Sequence, residues 1–234
     1  MPEMMVHGIL INVERKNIKN VRLAVRPPMG HVSISAPVQL KDDAIRLFVI
    51  SKLSWIKKHQ LKFEQQQRQP ERKYLPGESH YFQGQPYLLQ VIDDTKNRVE
   101  IRNKKYLDLY TIHGSDHSKR KHILNKWYKQ QLQHHIIDYI SKWQAIIGVT
   151  ISGYGIRLMK TKWGSCNVHK RHIWLNLELA KKPLYCLEYV VVHELIHLLE
   201  RKHNHRFTAY MDQFMPQWRI YKNELNNFIL DHAT

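Results

Sequence analysis

The feature that most constrains this chain is an apolar run over residues 190–199 that only His193, Glu194 and His197 interrupt. Helical side chains four positions apart lie on one face, so both imidazoles can reach one metal ion and Glu194 can reach a water beside it. Because apolar residues surround these three, we expect a buried, rigid helix, which suits a catalytic metal site. The pattern therefore predicts a metal-binding helix; the alternative is a pair of hydrogen-bonded core histidines.

A catalytic zinc ion needs a third protein ligand and leaves its fourth position to water. His203 follows His197 by six residues, which is the metzincin spacing, although Glu200 replaces the glycine of that motif. His205 is the alternative third ligand. The sequence thus predicts a site for one ion, Zn²⁺ or another divalent metal.

The balance of charge points to an anionic partner. The 234 residues carry a formal net charge of +17, which favours nucleic acid, a nucleotide, an acidic lipid or an acidic protein as partner; a generally basic, soluble surface is the competing interpretation. Residues 139–177 contain no Asp or Glu at all. The basic residues there are candidates for holding a phosphate or carboxylate, with a solvated loop as the competing interpretation: Arg157, Lys160, Lys162, Lys170 and Arg171.

Cysteine content and hydropathy favour a cytoplasmic protein. Only Cys166 and Cys186 are present, so no disulfide framework is implied and reduced thiols are expected. The first residues lack a basic region followed by an apolar run, and no apolar run approaches membrane-spanning length. We therefore expect neither a signal peptide nor a membrane partner.

Apolar periodicity predicts the elements of an α+β fold. Alternation over residues 7–36 predicts a small antiparallel meander, and Asp42 opens a helix that is expected to reach residue 69. A second long helix, capped by Asp116 or Ser118, is expected to end near Ile147. The remaining strands are expected at residues 81–82, 87–91, 98–101, 107–112, 150–160 and 173–177, and further helices near Pro183, Asn204 and Trp218.

These elements divide the chain into two halves, although one continuous domain is the alternative. Residues 1–115 form a mostly antiparallel β half with one long helix. Residues 116–234 form the metal-binding half, which contains the helix with the H-E-x-x-H pattern.

Residues on both sides of this helix carry a family resemblance. Trp163, Gly164, Ser165 and Cys166 precede it, and His203, Phe207, Met215, Pro216, Gln217 and Trp218 follow it. In this order the motifs resemble the YgjP-like family of metal-dependent hydrolases, relatives of the SprT-like zincin metallopeptidases. The strong motifs cover residues 157–218, and a weaker likeness extends over most of the chain. The resemblance implies a zincin-like catalytic domain and favours His203 over His205 as the third ligand.

The chemistry of the motif predicts roles for single residues, and the resemblance adds the place of Trp163, Gly164 and Ser165. Glu194 is expected to take a proton from water and return it to the leaving group. Trp163, Gly164 and Ser165 are expected close to the site, where a strand edge can hold an extended substrate. Candidates for stabilising the oxyanion or binding substrate are Arg206, His205 and Tyr210.

Three functions remain open at this stage. The first is a zinc-dependent metallopeptidase. The second is a nucleoside triphosphate pyrophosphatase, an activity associated with YgjP-like members, which would use the same site with the basic stretch holding phosphates. The third is a basic nucleic-acid-binding module with a structural metal. Glu194 argues against the third, because structural zinc needs no general base.

Overall fold

The structure is a computed structural model that describes residues 3–26, 30–65 and 72–227. Within these residues it contains three β-sheets and six α-helices, which confirms the predicted α+β class. The chain forms two compact units, Met1–Arg68 and Gln69–Thr234. The division of the chain at residue 115 stays a prediction. No helix in the described ranges is long and apolar enough to cross a membrane.

The first unit contains a four-stranded sheet with the order β1-β2-β4-β3. Its strands are β1 (Glu3–Val6), β2 (Ile9–Lys16), β3 (Arg22–Arg26) and β4 (His31–Pro37). The predicted antiparallel meander is wrong, because β2 and β4 pair in parallel, with Ile11 opposite Val32. Alternation shows which face of a strand is buried, but it does not show which strand lies beside it or in which direction. Here the parallel register brings two buried apolar rows together.

Two helices follow where one was predicted, namely α1 (Asp42–Ser51) and α2 (Leu53–Gln65). The helix breaks at Lys52, whose N–H bonds to the carbonyl of Val49 at 2.9 Å. Lysine is a good helix former, so the sequence carries no signal for this break. The predicted continuation through residue 69 lies outside the described residues. Ile45, Val49 and Ile56 are fully buried in the core of this unit.

The second unit begins with another mixed sheet, ordered β5-β6-β8-β7. Its strands are β5 (Ser79–Phe82), β6 (Gln85–Asp93), β7 (Arg98–Arg102) and β8 (Tyr106–Thr111). They confirm the positions of the four predicted strands. In this sheet β6 and β8 pair in parallel, whereas β5 pairs with β6 and β7 with β8 in antiparallel fashion, so the pairings remain mostly antiparallel.

The predicted long helix is α3 (His117–Ile147). Asp116 caps it by accepting a hydrogen bond from the Lys119 N–H at 2.8 Å, and Gly148 ends it in the left-handed region with φ of 75°. Trp143 on this helix donates its indole N–H to a carboxylate oxygen of Glu188 at 2.9 Å. This bond fixes α3 against the helix that carries His193.

The elements around His193 complete the second unit. A three-stranded sheet has the order β10-β11-β9, so that β10 forms one edge. A short 3₁₀ helix, Leu177–Lys181, leads into the helix of the H-E-x-x-H pattern. The bounds are β9 (Gly153–Arg157), β10 (Gly164–Asn167), β11 (His172–Asn176), α4 (Leu184–Ile196), α5 (His205–Phe214) and α6 (Trp218–Asn227).

Helix α4 lies at the centre of this core. Most of its residues are buried, including Leu187, Val191 and Leu195, which have no exposed surface. It contacts β10, β11, α3, α5 and α6. A helix enclosed on so many sides has little freedom to shift, so it gives the side chains at its end a fixed position.

Candidate metal centre

Three histidine side chains converge at the end of α4. His193 lies in the last turn of the helix, His197 is its C-cap residue, and His203 lies in the loop before α5. One ring nitrogen from each histidine lies within 4.8 Å of the other two. The Nε2 atoms of His193 and His203 are 2.9 Å apart. The three imidazoles therefore face one common point.

The turn after α4 explains how His203 returns to the helix. Backbone N–H groups of Leu199 and Glu200 both bond to the carbonyl of Ile196, at 2.9 and 3.0 Å. Glu200 is not among the described residues with positive φ. This turn therefore has no need of the glycine that metzincins have at this position.

Glu200 also orients His197. The Nδ1 atom of His197 lies 3.1 Å from the carbonyl oxygen of Glu200. A carbonyl oxygen only accepts hydrogen bonds, so Nδ1 carries the proton and Nε2 keeps a free lone pair. Fixing the tautomer through the second ring nitrogen is a usual feature of metal-ligating histidines.

The electrostatic surroundings favour the neutral form of the imidazoles. Burial lowers the pKa of His193 to about 3, and the charges of His197, His203 and Lys222 act in the same direction. Burial also lowers the pKa of His197 and of His203. A neutral imidazole keeps the lone pair that a metal ion needs. Three converging neutral nitrogen donors fit a divalent cation such as zinc.

Glu194 lies beside the histidines with its carboxyl group buried. Only 5% of the residue is exposed, and its buried Oε2 atom has no hydrogen-bond partner in the described part of the chain. Burial raises the pKa of Glu194 to about 8, and the charge of Lys162 opposes this shift. Gly164 on β10 packs directly on this side chain. The carboxyl group is therefore confined between α4 and β10.

The histidines and Glu194 lie in a cavity of about 780 Å³. Of the residues predicted to bind substrate, Lys162, Trp163, Gly164 and Ser165 line this cavity. The sequence analysis gave no role to several other lining residues, namely Cys166, Tyr189, Arg201, Lys222 and Asn226. They come from four separate segments, and nothing in the sequence signals that these segments meet.

Other predicted residues do not line this cavity. Arg157 lies over the ring of Trp174, with its guanidinium carbon 4.5 Å from the ring centroid. The Nε–H of Arg171 donates to the carbonyl of Thr150 at 2.6 Å. Also outside the cavity lining are Lys160, Lys170, His205, Arg206 and Tyr210.

His205, the alternative ligand, is the first residue of α5 and is exposed. It is not part of the group of converging ring nitrogens, although it lies two residues after His203. Tyr210 lies on the same helix and is paired with Phe214, with 6.3 Å between the ring centroids.

Asn176 is a further residue to which the sequence analysis gave no role. It is fully buried, and its side-chain amide donates to the carbonyls of Met159 and Lys162 at 2.9 and 2.8 Å. Its Oδ1 accepts from the N–H groups of Met159 and Glu178, both at 3.2 Å. The three bonds to Met159 and Lys162 hold the loop that leads into β10, and the bond from Glu178 caps the 3₁₀ helix that follows. The only sequence signal is an asparagine at the end of an apolar strand.

Comparison with known proteins gives one extensive match. A family model described as YgjP-like, metallopeptidase domain, matches residues 19–228. No curated protein matches the chain significantly.

Two solved structures are weakly similar to the chain. The metallopeptidase zymogen of Pyrococcus abyssi abylysin is 18% identical, with a TM-score of 0.36, over 38% of this chain and 90% of its own. The metallopeptidase zymogen of Methanocaldococcus jannaschii jannalysin is 21% identical, with a TM-score of 0.35, over 39% of this chain and 93% of its own. With TM-scores this low, these two likenesses carry no argument.

Proposed function

This chain belongs to the YgjP-like metallopeptidase family, and from that premise we propose that it is a zinc-dependent peptidase with Glu194 as its general base. A peptidase-type hydrolase that uses a divalent metal follows from the family. The choice of zinc and the roles of single residues are our proposal. The observation that carries it is the convergence of three imidazoles beside the buried Glu194 carboxyl group in one cavity.

We assign the metal to His193, His197 and His203. Catalytic zinc sites typically use three protein ligands and keep one position open. When bound, a zinc ion polarises the scissile carbonyl and lowers the pKa of water toward neutrality. The hydrogen bond from His197 to the Glu200 carbonyl supports the assignment, because it directs the free nitrogen of His197 toward the other two rings.

Glu194 moves the proton in this proposal. Its Oε2 has no hydrogen-bond partner among the described residues, so it is free to accept a proton from the attacking water. Burial raises the pKa of this carboxyl group, which helps it to hold the proton until the proton is released to the leaving amine. A base with a pKa near the working pH is effective in both directions.

The free edge of β10 suits the backbone of an extended peptide. The carbonyl of Trp163 bonds to the N–H of Asn176 at 2.8 Å, which directs it toward β11. Because backbone groups alternate along an antiparallel strand, those of Gly164 and Cys166 point away from β11, toward the cavity that both residues line. A substrate strand can pair with these groups.

The test of the proposed function is the Glu194→Gln variant. Glutamine keeps the shape of the side chain but cannot act as a base, so zinc content should stay at the parent level. Cleavage of an unfolded protein pool should fall by roughly 10²- to 10⁴-fold. Glu100→Gln, which changes an exposed carboxylate on β7, is the matched control. A Glu194→Gln protein that cleaves at the parent rate, or that loses its zinc, would overturn the assigned role.

The nucleotide and nucleic-acid alternatives receive no support from the family match, which names a metallopeptidase domain. Incubation with the four ribonucleoside triphosphates, with Glu194→Gln as the blank, tests the pyrophosphatase. Salt-sensitive binding of DNA without hydrolysis of either substrate would favour the binding module.

A further inference from the structure

The charges that line the cavity are almost all of one sign. Lys162, Arg201 and Lys222 are cations on its lining, whereas Glu194 is the one carboxylate there within the described part of the chain. The three cations lie in the loop before β10, in the turn after α4 and on α6. They are far apart in sequence, so the fold alone gathers them around the proposed catalytic centre.

None of these three cations forms an ion pair with a carboxylate among the residues that the structure describes. Elsewhere the chain does pair its basic side chains. Lys142 bonds to Glu188 at 2.7 Å, and Arg102 bonds to Asp108 at 2.6 Å. Among the described residues, no ion pair therefore compensates the charge of these three cations.

Carboxylates in the segment that carries Arg201 and Lys222 have other partners. Glu200 accepts the N–H of Lys202 at 3.0 Å. Glu224 accepts the hydroxyl of Tyr185. Asp212 accepts the indole N–H of Trp218 at 2.8 Å and pairs with Arg219. These carboxylates thus have other hydrogen-bond partners, and none of the three forms an ion pair with Arg201 or Lys222.

We propose that the cavity selects acidic peptides, with aspartate or glutamate side chains close to the bond that is cleaved, and that Lys162, Arg201 and Lys222 hold these carboxylates. This inference rests on the proposed peptidase function and names its substrate class. An extended peptide along β10 projects its side chains alternately to opposite faces, so every second side chain can face the cavity. Cations from three separate segments can therefore meet carboxylates on either side of the cleaved bond.

The side chains of the three cations suit this role. All three are exposed, and their long stems can follow a carboxylate that is displaced along the groove. An exposed ion pair contributes little by itself, so each cation should change peptide affinity by roughly 1.5- to 5-fold. Together they should give a preference of about tenfold for an acidic peptide, and this preference should weaken with salt.

The test compares two labelled decapeptides, one of alternating alanine and glutamate and one of alternating alanine and glutamine. Their affinities are measured by fluorescence anisotropy on the zinc-loaded Glu194→Gln protein, so that the peptides stay intact. The Lys162→Gln/Arg201→Gln/Lys222→Gln variant, made in the same background, removes the three cations. The Lys126→Gln/Lys129→Gln/Lys202→Gln variant removes the same charge from exposed positions outside the cavity.

We expect the glutamate peptide to bind about tenfold tighter than the glutamine peptide, with this preference lost in the cavity variant and kept in the control variant. Equal affinities for both peptides, or a preference that both variants lose alike, overturn the inference. So does binding of a nucleoside triphosphate through these cations when the glutamate peptide does not bind. Peptide cleavage by the parent protein is measured separately. If the protein prefers the glutamate peptide but cleaves no peptide, the binding site for acidic peptides is supported and the proposed peptidase function is not.

Discussion

Gly164 lies so close to Glu194 that a Cβ atom on this glycine would be 2.5 Å from Oε1 and 2.8 Å from Cγ of the glutamate. These distances are shorter than van der Waals contact, so no residue with a side chain fits here unless Glu194 moves. The contact joins the edge strand β10 to the helix α4. It therefore fixes the carboxyl group relative to the strand that we propose holds the substrate.

We expect Gly164→Ala to displace the Glu194 carboxyl group and to lower kcat by roughly 10- to 100-fold, because small misplacements of catalytic groups have effects of this size. Zinc content should be unchanged, since no histidine moves. The measurements are peptide cleavage and zinc analysis. Gly153→Ala is the matched control on the same sheet, where the new Cβ would lie 3.3 Å from the nearest atom. Parent activity in Gly164→Ala would show that the contact has no role.

The third ligand is tested by replacing the two histidines that compete for it. His203→Ala should weaken zinc binding by more than about 100-fold, because losing a ligand costs more than losing an outer-shell contact. His205→Ala should retain zinc, because His205 is outside the converging group. Competition with a chelating dye measures both affinities. If His205→Ala lost zinc and His203→Ala kept it, His205 would be the third ligand in place of His203.

Asn176→Asp should destabilise the protein and loosen the loop before β10. Aspartate cannot donate to the carbonyls of Met159 and Lys162, which would then face a carboxylate. Two buried acceptors without donors should lower the free energy of unfolding by about 2–4 kcal/mol. Urea denaturation measures this change, with Asn97→Asp as an exposed control. A loss no greater than that of the control would show that these bonds are replaced by water.

Stability should fall in acid because of His80, of which only 1% is exposed. The pKa of His80 is lowered from 6.5 to about 4, mainly by burial. The charge of Arg72 lowers the pKa further, whereas the hydrogen bond to Glu78 raises it. Between these pKa values the unfolded chain binds a proton that the folded chain does not, so the free energy of unfolding decreases as pH falls from 6.5 toward 4.

His80→Gln isolates this contribution, because glutamine does not titrate. From neutral pH to about pH 4.5 the parent should lose about 2–3 kcal/mol more unfolding free energy than the variant. Urea denaturation at both pH values gives the difference. Equal losses in parent and variant would mean that His80 titrates normally in the folded protein.

The sequence was sufficient to predict those features that depend on residues close together in the chain. Four-residue spacing puts His193 and His197 on one face, and their ring centroids are 4.9 Å apart. The predicted extent of α3 agrees with the structure, because Asp116 caps the first turn and apolar residues at helical spacing continue to Ile147. The positions of β5 to β8 followed from alternation over a few residues.

Only the tertiary structure decided which distant segments meet. A strand shows the same alternation of apolar and polar residues beside a parallel and beside an antiparallel neighbour. The parallel pairing of β2 with β4 therefore could not be predicted from the sequence. The contact of Gly164 with Glu194, the loop held by Asn176, and the approach of Lys222 to the cavity join residues far apart in sequence. Such contacts depend on how buried faces pack as a whole, whereas local periodicity determines only which face is buried.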